Sequence, residues 1–309
     1  MRVAVFGEES AGVQLLEALA RSRHEVVTVV TSPPADDGAP APLWTAAERL
    51  GHVPVPAARI REDGFAAELA KSGVDLILNV HSLVILTGPV LRVAPLGIYN
   101  LHPGPLPRYA GLNAPSWAIF HGETMHGVTV HKVEAEIDTG PIAYQECFPI
   151  GPDETALRLS VRCVQVGLVL LERLVESLAA DPRSVALVPQ DLSRRTYYGR
   201  RVPRRGVVDW KETARRVHDF VRASDFHPFR SPWGVPRTRL DGLELLVGRI
   251  ALTAERCDAP PGTVCVDGSG RSLVATADEW LWIRRLALAG KAAEKLRPEE
   301  ILSTGDRLV

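Results

Sequence analysis

An asparagine and a histidine two residues apart, Asn100 and His102, stand out in this 309-residue chain as residues that could do chemistry. A stiff loop follows them, with prolines and glycines in the run PGPLPRYAG, and an apolar run with helical spacing comes next. An asparagine amide can donate a hydrogen bond to a developing oxyanion, and a histidine can take or relay a proton near neutral pH. The pair therefore suggests acid–base and oxyanion chemistry that needs no serine or cysteine nucleophile.

A carboxylate that could complete this pair, Asp138, lies about 36 residues beyond His102, in the acidic turn EAEIDTGPI. If neighbouring strands bring it to the imidazole, it would orient the ring and favour its protonated form. Each residue also has a purely structural interpretation, Asn100 as a turn former and Asp138 as the cap of its own turn. Taken one at a time, the residues do not decide between the two interpretations.

The elements that must position these residues alternate between short apolar strands and longer helical patterns. This alternation predicts an α/β fold with a Rossmann-like, mostly parallel sheet. Such sheets bind ligands beyond the carboxyl ends of their strands, where Asn100 and His102 would lie, so the active-site interpretation is favoured. The predicted strands are residues 2–7, 26–31, 74–80, 96–102, 127–133 and 142–148, and the predicted helices are 11–22 and 154–178.

The loop after the first strand, FGEESAG at residues 6–12, occupies the place of a dinucleotide fingerprint. It lacks the GxGxxG spacing, and Glu8 and Glu9 would repel a pyrophosphate. We therefore reject an NAD-binding function.

The last third of the chain has a different pattern of apolar and polar residues. An amphipathic helix is predicted at 209–224, with Trp210, Ala214, Val217 and Val221 on one side, and several short strand-like runs follow it. These runs predict a small OB-like β-barrel. The resulting domains are a catalytic domain at 1–190, an Arg-rich linker at 191–205 and a barrel domain at 206–309.

Composition narrows the class of protein. The net charge of −1 gives no overall attraction to nucleic acid, and no apolar run is long enough for a membrane span. The N-terminal residues resemble a first strand rather than a signal peptide. Four cysteines without a CxxC pair suggest neither a zinc site nor a disulfide framework. We therefore expect a cytoplasmic protein without a bound metal or a membrane partner.

A series of motifs runs through the chain in order: Asn-x-His, Leu-Pro-x-Tyr-x-Gly, Gly-Val-Thr-x-His and Asp-Thr-Gly. Together they resemble the formyltransferase family that uses 10-formyltetrahydrofolate, and the resemblance covers nearly the whole chain. The family includes methionyl-tRNA formyltransferases and the N-formyltransferases of amino sugars. One departure is the run HPGPLPRYAG, where many members read His-Gly-Ser-Leu-Leu-Pro, so a loop hydroxyl is missing here.

The resemblance implies roles for seven residues. Asn100, His102 and Asp138 match the family's catalytic residues, which act on a neutral amine that attacks the formyl carbon of the donor. The family holds the folate through two loops, which correspond to residues 81–86 and 134–138. The folate contacts implied in these loops are Leu83, Ile85, Glu134 and Ile137.

The acceptor is left open between two enzymatic functions and a third, non-catalytic one. We expect a small amine, such as an amino-sugar nucleotide, an amino acid or a carrier-bound amine, because residues 32–44 carry Asp36 and Asp37 and no lysine or arginine. A methionyl-tRNA formyltransferase, which must neutralise phosphates, is the alternative. The third reading is a folate-binding or nucleic-acid-binding protein without activity. A homodimer also stays open.

Overall fold

A computed structural model of the chain describes residues 1–35, 41–82, 84–86, 88–290 and 297–309. These residues divide into two compact units, each built from three stretches of sequence. The first unit contains Met1–Gly111, Gly127–Phe148 and Val161–Tyr197, and the second contains Leu112–His126, Pro149–Ser160 and Tyr198–Val309. The predicted boundaries at residues 190 and 206 stay predictions, and two stretches that precede them in the chain lie in the second unit.

The first unit is built on a sheet. Strands β1 to β9 are Arg2–Gly7, Glu25–Thr31, Val55–Pro56, Leu76–Val80, Ile98–His102, Ala110–Gly111, Met125–Lys132, Ile142–Pro149 and Tyr197–Tyr198. Within the described residues, seven of them form one sheet in the order β3–β2–β1–β4–β5–β7–β8. The pairs from β3 to β5 are parallel, and β7 joins β5 antiparallel. Strand β1 is buried from its second residue onward, which explains its continuous apolar run. The predicted Rossmann-like, mostly parallel sheet is confirmed.

The helices α1 to α7 are Glu9–Ala20, Pro42–Arg49, Phe65–Lys71, Ala114–Phe120, Ala156–Ala180, Ala214–Ala223 and Pro298–Ile301. Helices α2 and α3 were not predicted, because seven or eight residues are too few for a helical period to stand out from the sequence. Within the described ranges, no helix is both long and apolar enough to cross a membrane.

The second unit carries an antiparallel sheet. Strands β10 to β14 are Arg237–Leu240, Leu243–Arg256, Val264–Val266, Ser272–Ala275 and Glu279–Leu288. In the part of the chain that the structure describes, they form a sheet in the order β10–β11–β14–β13–β12. The pairing of β11 with β14 contains several irregularities of register, which bend strands. The sheet is a curled half-barrel, and the predicted α/β fold with a small C-terminal β-domain is confirmed.

Helix α6 begins later than the sequence predicted. Thr213 caps its N-terminus with a side chain that accepts from the Arg216 N–H, so the helix starts at Ala214 rather than 209. The predicted apolar side is correct, since Trp210, Ala214, Val217 and Val221 are all buried in one hydrophobic cluster with the sheet.

Candidate active site

The ends of three adjacent strands in the first unit bring polar side chains together. Strand β4 lies parallel to β5 and places Asn79 opposite Asn100. Strand β7 runs antiparallel on the other side of β5 and places His131 opposite Asn100 and Thr129 opposite His102. The Asn-x-His motif therefore lies between polar side chains of the two neighbouring strands.

The amide of Asn100 is oriented from both sides. The Asn79 Nδ2 donates to Asn100 Oδ1 over 2.9 Å, and Asn100 Nδ2 lies 3.2 Å from His131 Nε2. His131 Nδ1 lies 3.0 Å from the Lys132 carbonyl oxygen, which can only accept, so Nδ1 carries the proton and the neutral ring accepts at Nε2. One N–H of Asn100 then remains to donate to a ligand.

Asp138 connects this amide to His102. Its Oδ2 accepts from the Gly111 N–H over 2.7 Å and lies 3.4 Å from His102 Nδ1, while its Oδ1 lies 3.4 Å from His131 Nε2. Burial by itself raises the pKa of Asp138, but the positive charge that His102 can carry and the hydrogen bond from the Gly111 N–H outweigh it and lower the pKa. Asp138 is therefore ionised at neutral pH.

The turn that carries Asp138 depends on its glycine and on one distant side chain. A Cβ on Gly140 would lie only 1.8 Å from the Lys132 carbonyl oxygen, so no other residue fits there. Gln190 Nε2 donates to the carbonyl oxygens of Asp138 and Gly140 over 3.0 and 2.6 Å. The Asp-Thr-Gly motif thus serves to bring the turn against strand β7.

His102 is buried, and both of its ring nitrogens face acceptors. Nε2 lies 2.7 Å from the Tyr109 carbonyl oxygen and donates to it, which leaves Nδ1 facing Asp138. Burial lowers the pKa of His102; the charge of Asp138 opposes this effect and that of His131 adds to it. The imidazole is therefore neutral at neutral pH, and the expectation of a protonated His102 is not supported. A proton taken up at Nδ1 would be met by the Asp138 carboxylate.

Sequence reasoning missed two polar residues of this site. Asn79 lies in strand β4, and His81 follows its end with a left-handed backbone, φ 54°. Burial, and to a smaller extent the charge of His102, lowers the pKa of His81 to about 4. Both residues stand in the run NVHS at a predicted strand end, a position that could have identified them. His131 is the histidine of the Gly-Val-Thr-x-His motif.

The loop after β5 is held by hydrogen bonds as well as by its prolines. Thr129 Oγ1 donates to the Gly104 carbonyl oxygen over 2.7 Å and accepts from the Leu106 N–H over 3.2 Å. Gln145 Nε2 donates to the Leu106 carbonyl oxygen and to Thr129 Oγ1, both over 2.8 Å. The threonine of the Gly-Val-Thr-x-His motif therefore fixes the loop that delivers the Tyr109 carbonyl to His102.

A cavity in the first unit is lined by two of the residues expected to contact folate. Ile85 and Ile137 line one cavity of about 390 Å³, together with Glu136, Arg195 and Tyr197. Both isoleucines are exposed, at 58% and 38%. The Arg195 guanidinium donates to the Ile137 carbonyl oxygen over 3.0 Å and so holds the cavity wall. Glu134 is exposed and does not line this cavity, and Leu83 lies outside the described residues.

The chain is similar to known formyltransferases along its whole length. It is 34% identical over 319 aligned residues to the methionyl-tRNA formyltransferase of Roseiflexus sp. (strain RS-1), covering 100% of this chain and 95% of that protein. It is 35% identical over 286 aligned residues to the methionyl-tRNA formyltransferase of Sorangium cellulosum, covering 90% and 88%. The fold matches an N-formyltransferase from Helicobacter canadensis, crystallised with folinic acid and dTDP-3-aminofucose, with a TM-score of 0.66 and 17% identity over 91% of this chain and 97% of that one.

Two family models match the chain in succession. Residues 1–175 match the formyl transferase model, and residues 202–301 match the formyl transferase C-terminal domain. The first match alone spans more than half of the chain and includes the strand ends described above. The chain therefore belongs to the formyl transferase family.

Proposed function

We propose that the protein transfers a formyl group from 10-formyltetrahydrofolate to the primary amine of a small acceptor, such as an amino-sugar nucleotide, an amino acid or a carrier-bound amine. The observation that carries this proposal is the connected set of Asn100, His131, Asp138 and His102 at the strand ends of a formyl transferase fold. The set combines a free amide N–H, which can donate to an oxyanion, with a neutral imidazole and an ionised carboxylate, which can accept a proton. A formyl transfer without a covalent enzyme intermediate needs these groups.

The proposed reaction has no covalent enzyme intermediate. The neutral amine attacks the formyl carbon, and the remaining N–H of Asn100 donates to the oxygen of the tetrahedral intermediate. Collapse breaks the bond to N10 of the folate, and this nitrogen takes a proton as tetrahydrofolate leaves. The proton lost by the amine passes to the pair of Asp138 and His102 Nδ1, where the carboxylate stabilises the charged imidazole.

The cavity that Ile85 and Ile137 line supports a folate donor in the first unit. Exposed aliphatic side chains suit the face of a flat ring, and the nearby Arg195 and Tyr197 add a cation and an aromatic ring at its border. The cavity volume of about 390 Å³ lies within the range of small-molecule sites.

A methionyl-tRNA acceptor is the second candidate, and one specific observation favours it. The relatives at 34% and 35% identity are methionyl-tRNA formyltransferases and align over nearly the whole chain. Against it stand the net charge of −1 and the lack of lysine and arginine in residues 32–44, of which 36–40 lie outside the described residues. A protein that only binds folate or nucleic acid is disfavoured, because it would not need Asn100, His102 and Asp138 together.

The deciding experiment measures tetrahydrofolate release with 10-formyltetrahydrofolate and a panel of acceptors that includes initiator methionyl-tRNA. We expect turnover with a small amine and a KM for that acceptor that changes little between low and moderate salt. A tRNA acceptor would lose affinity steeply as salt rises, because phosphate contacts release counterions. Efficient formylation of methionyl-tRNA with such a slope, and of no small amine, would overturn the proposed acceptor. The absence of transfer to any acceptor would overturn the proposed formyl-transfer activity.

A further inference from the structure

A larger cavity lies within the second unit and is not part of the candidate active site. It has a volume of about 790 Å³, which suits a ligand of nucleotide size. Its lining combines cationic and apolar side chains, among them Arg201, Arg205, Arg237, Trp233, Val202 and Leu246. Such a lining fits an organic molecule that carries negative charge at one end.

The charge of this cavity is largely uncompensated. Within the described part of the chain, Arg201 and Arg205 form no ion pair, and no acidic residue belongs to the lining. Arg237 lies 3.4 Å from Glu244 and donates to the Arg205 carbonyl oxygen over 2.8 Å. Planar guanidinium groups match the oxygens of a phosphate, which they bind through paired hydrogen bonds.

Trp233 adds a mostly buried aromatic residue to the cavity wall. The residue is 6% exposed, and its Nε1 is buried without a hydrogen-bond partner among the described residues. A buried donor without a partner is unfavourable and uncommon. Because this N–H is closed off from solvent, Trp233 contributes apolar surface rather than a hydrogen bond to the wall of the cavity.

The backbone that presents Arg205 is strained in the same place. Arg204, Arg205 and Gly206 are successive left-handed residues, with φ of 50°, 53° and 81°. Residues with a Cβ adopt this conformation only where the surroundings enforce it, often at ligand sites. Arg204 shares this backbone, but its guanidinium pairs with Glu212 and it does not line the cavity. It is therefore a matched control for Arg205.

We propose that this cavity binds a small organic phosphate ester, with Arg201 and Arg205 on its phosphate or diphosphate. The organic part lies against the apolar wall that includes Val202 and Leu246. The proposal does not depend on the formyl-transfer chemistry, because it concerns binding to the second unit alone.

Titration calorimetry on the full-length protein tests the proposal with three probes: UDP, 4′-phosphopantetheine and inorganic pyrophosphate. We expect at least one of the two esters to bind saturably and more tightly than pyrophosphate, which cannot use the apolar wall. Which ester binds more tightly identifies the source of the phosphate. No saturable binding of either ester up to about 10 mM would overturn the proposal.

Variants separate specific contacts from general charge. Arg205→Ala and Arg201→Ala should each weaken ester binding about tenfold or more, whereas Arg204→Ala should change it by less than about threefold. Thermal unfolding shows which variants are folded. If Arg205→Ala does not fold, Arg201→Ala serves as the test variant in its place. An equal loss in Arg204→Ala and Arg205→Ala would mean that only net charge matters, and would also overturn the proposal.

Discussion

His102 and Asp138 form the proton-accepting pair of the proposed reaction, and their contribution is confined to the chemical step. We predict that His102→Ala and Asp138→Ala each lower kcat about 10²–10³-fold or more, because each removes one partner of the pair. The Kd of the folate donor should stay nearly unchanged, since neither His102 nor Asp138 lines the cavity of Ile85 and Ile137. Single-turnover transfer and donor titration measure the two quantities separately. Full activity of His102→Ala at saturating substrates would contradict the mechanism.

Asn79 orients the amide that faces the reacting oxygen. Its Nδ2 donates to Asn100 Oδ1 over 2.9 Å, so removing this donor lets the Asn100 side chain turn its oxygen toward the ligand. We predict that Asn79→Leu lowers kcat about tenfold, the worth of one hydrogen bond, with the acceptor KM little changed. Asn79→Ser keeps a hydroxyl donor and should recover part of the rate. If Leu and Ser variants lose the same activity, Asn79 acts only through packing.

At the scale of elements, the loop after β5 depends on a threonine of strand β7. Thr129→Val keeps the shape of the side chain but removes its hydrogen bonds to Gly104, Leu106 and Gln145. We predict a loss of about 1–3 kcal/mol in the free energy of unfolding, because the loop's buried polar groups lose a partner. Denaturant unfolding measures it. Thr124→Val, at an exposed position just before the same strand, is the control and should change little.

The strand ends were predictable and their partners were not. The run LGIYNLH reads as a buried strand with polar residues at its end, and strand β5 ends at His102 as a result. The pairing of Asn100 with His131 depends on the antiparallel addition of β7, a long-range register that local periodicity does not contain. The short helices α2 and α3 were not predicted, because seven or eight residues are too few to show a helical period.

Across the molecule, histidines whose pKa the fold lowers make stability depend on pH. The unfolded chain protonates a histidine near its ordinary pKa of 6.5, whereas folded His81 takes a proton only near about 4. Stability is therefore complete above about pH 6.5 and falls as the pH drops toward 4, by about 2–3 kcal/mol from His81. The lowered pKa of His102 adds to this loss, while that of Asp138 acts only below its ordinary value of 3.8.

Thermal unfolding between pH 8 and about 4 measures this effect. His81→Leu should flatten the pH dependence, because it removes the group whose protonation the folded state resists. His227→Gln, at an exposed histidine of the second unit, should leave the curve unchanged. A wild-type protein equally stable at pH 6.5 and about 4.5 would show that the fold does not lower the pKa of His81.

Three features could be predicted without coordinates: the class of fold, the strand end that carries Asn100 and His102, and the family through the order of its motifs. These follow from local periodicity and from residues close together in the chain. Long-range contacts were needed to bring Asn79, His81 and His131 to this strand, to place Ile85 and Ile137 around one cavity that Glu134 does not line, and to lower the pKa of His102. Strand register and burial depend on contacts with residues distant in sequence. A pKa depends in turn on the dielectric and the charges that those residues create.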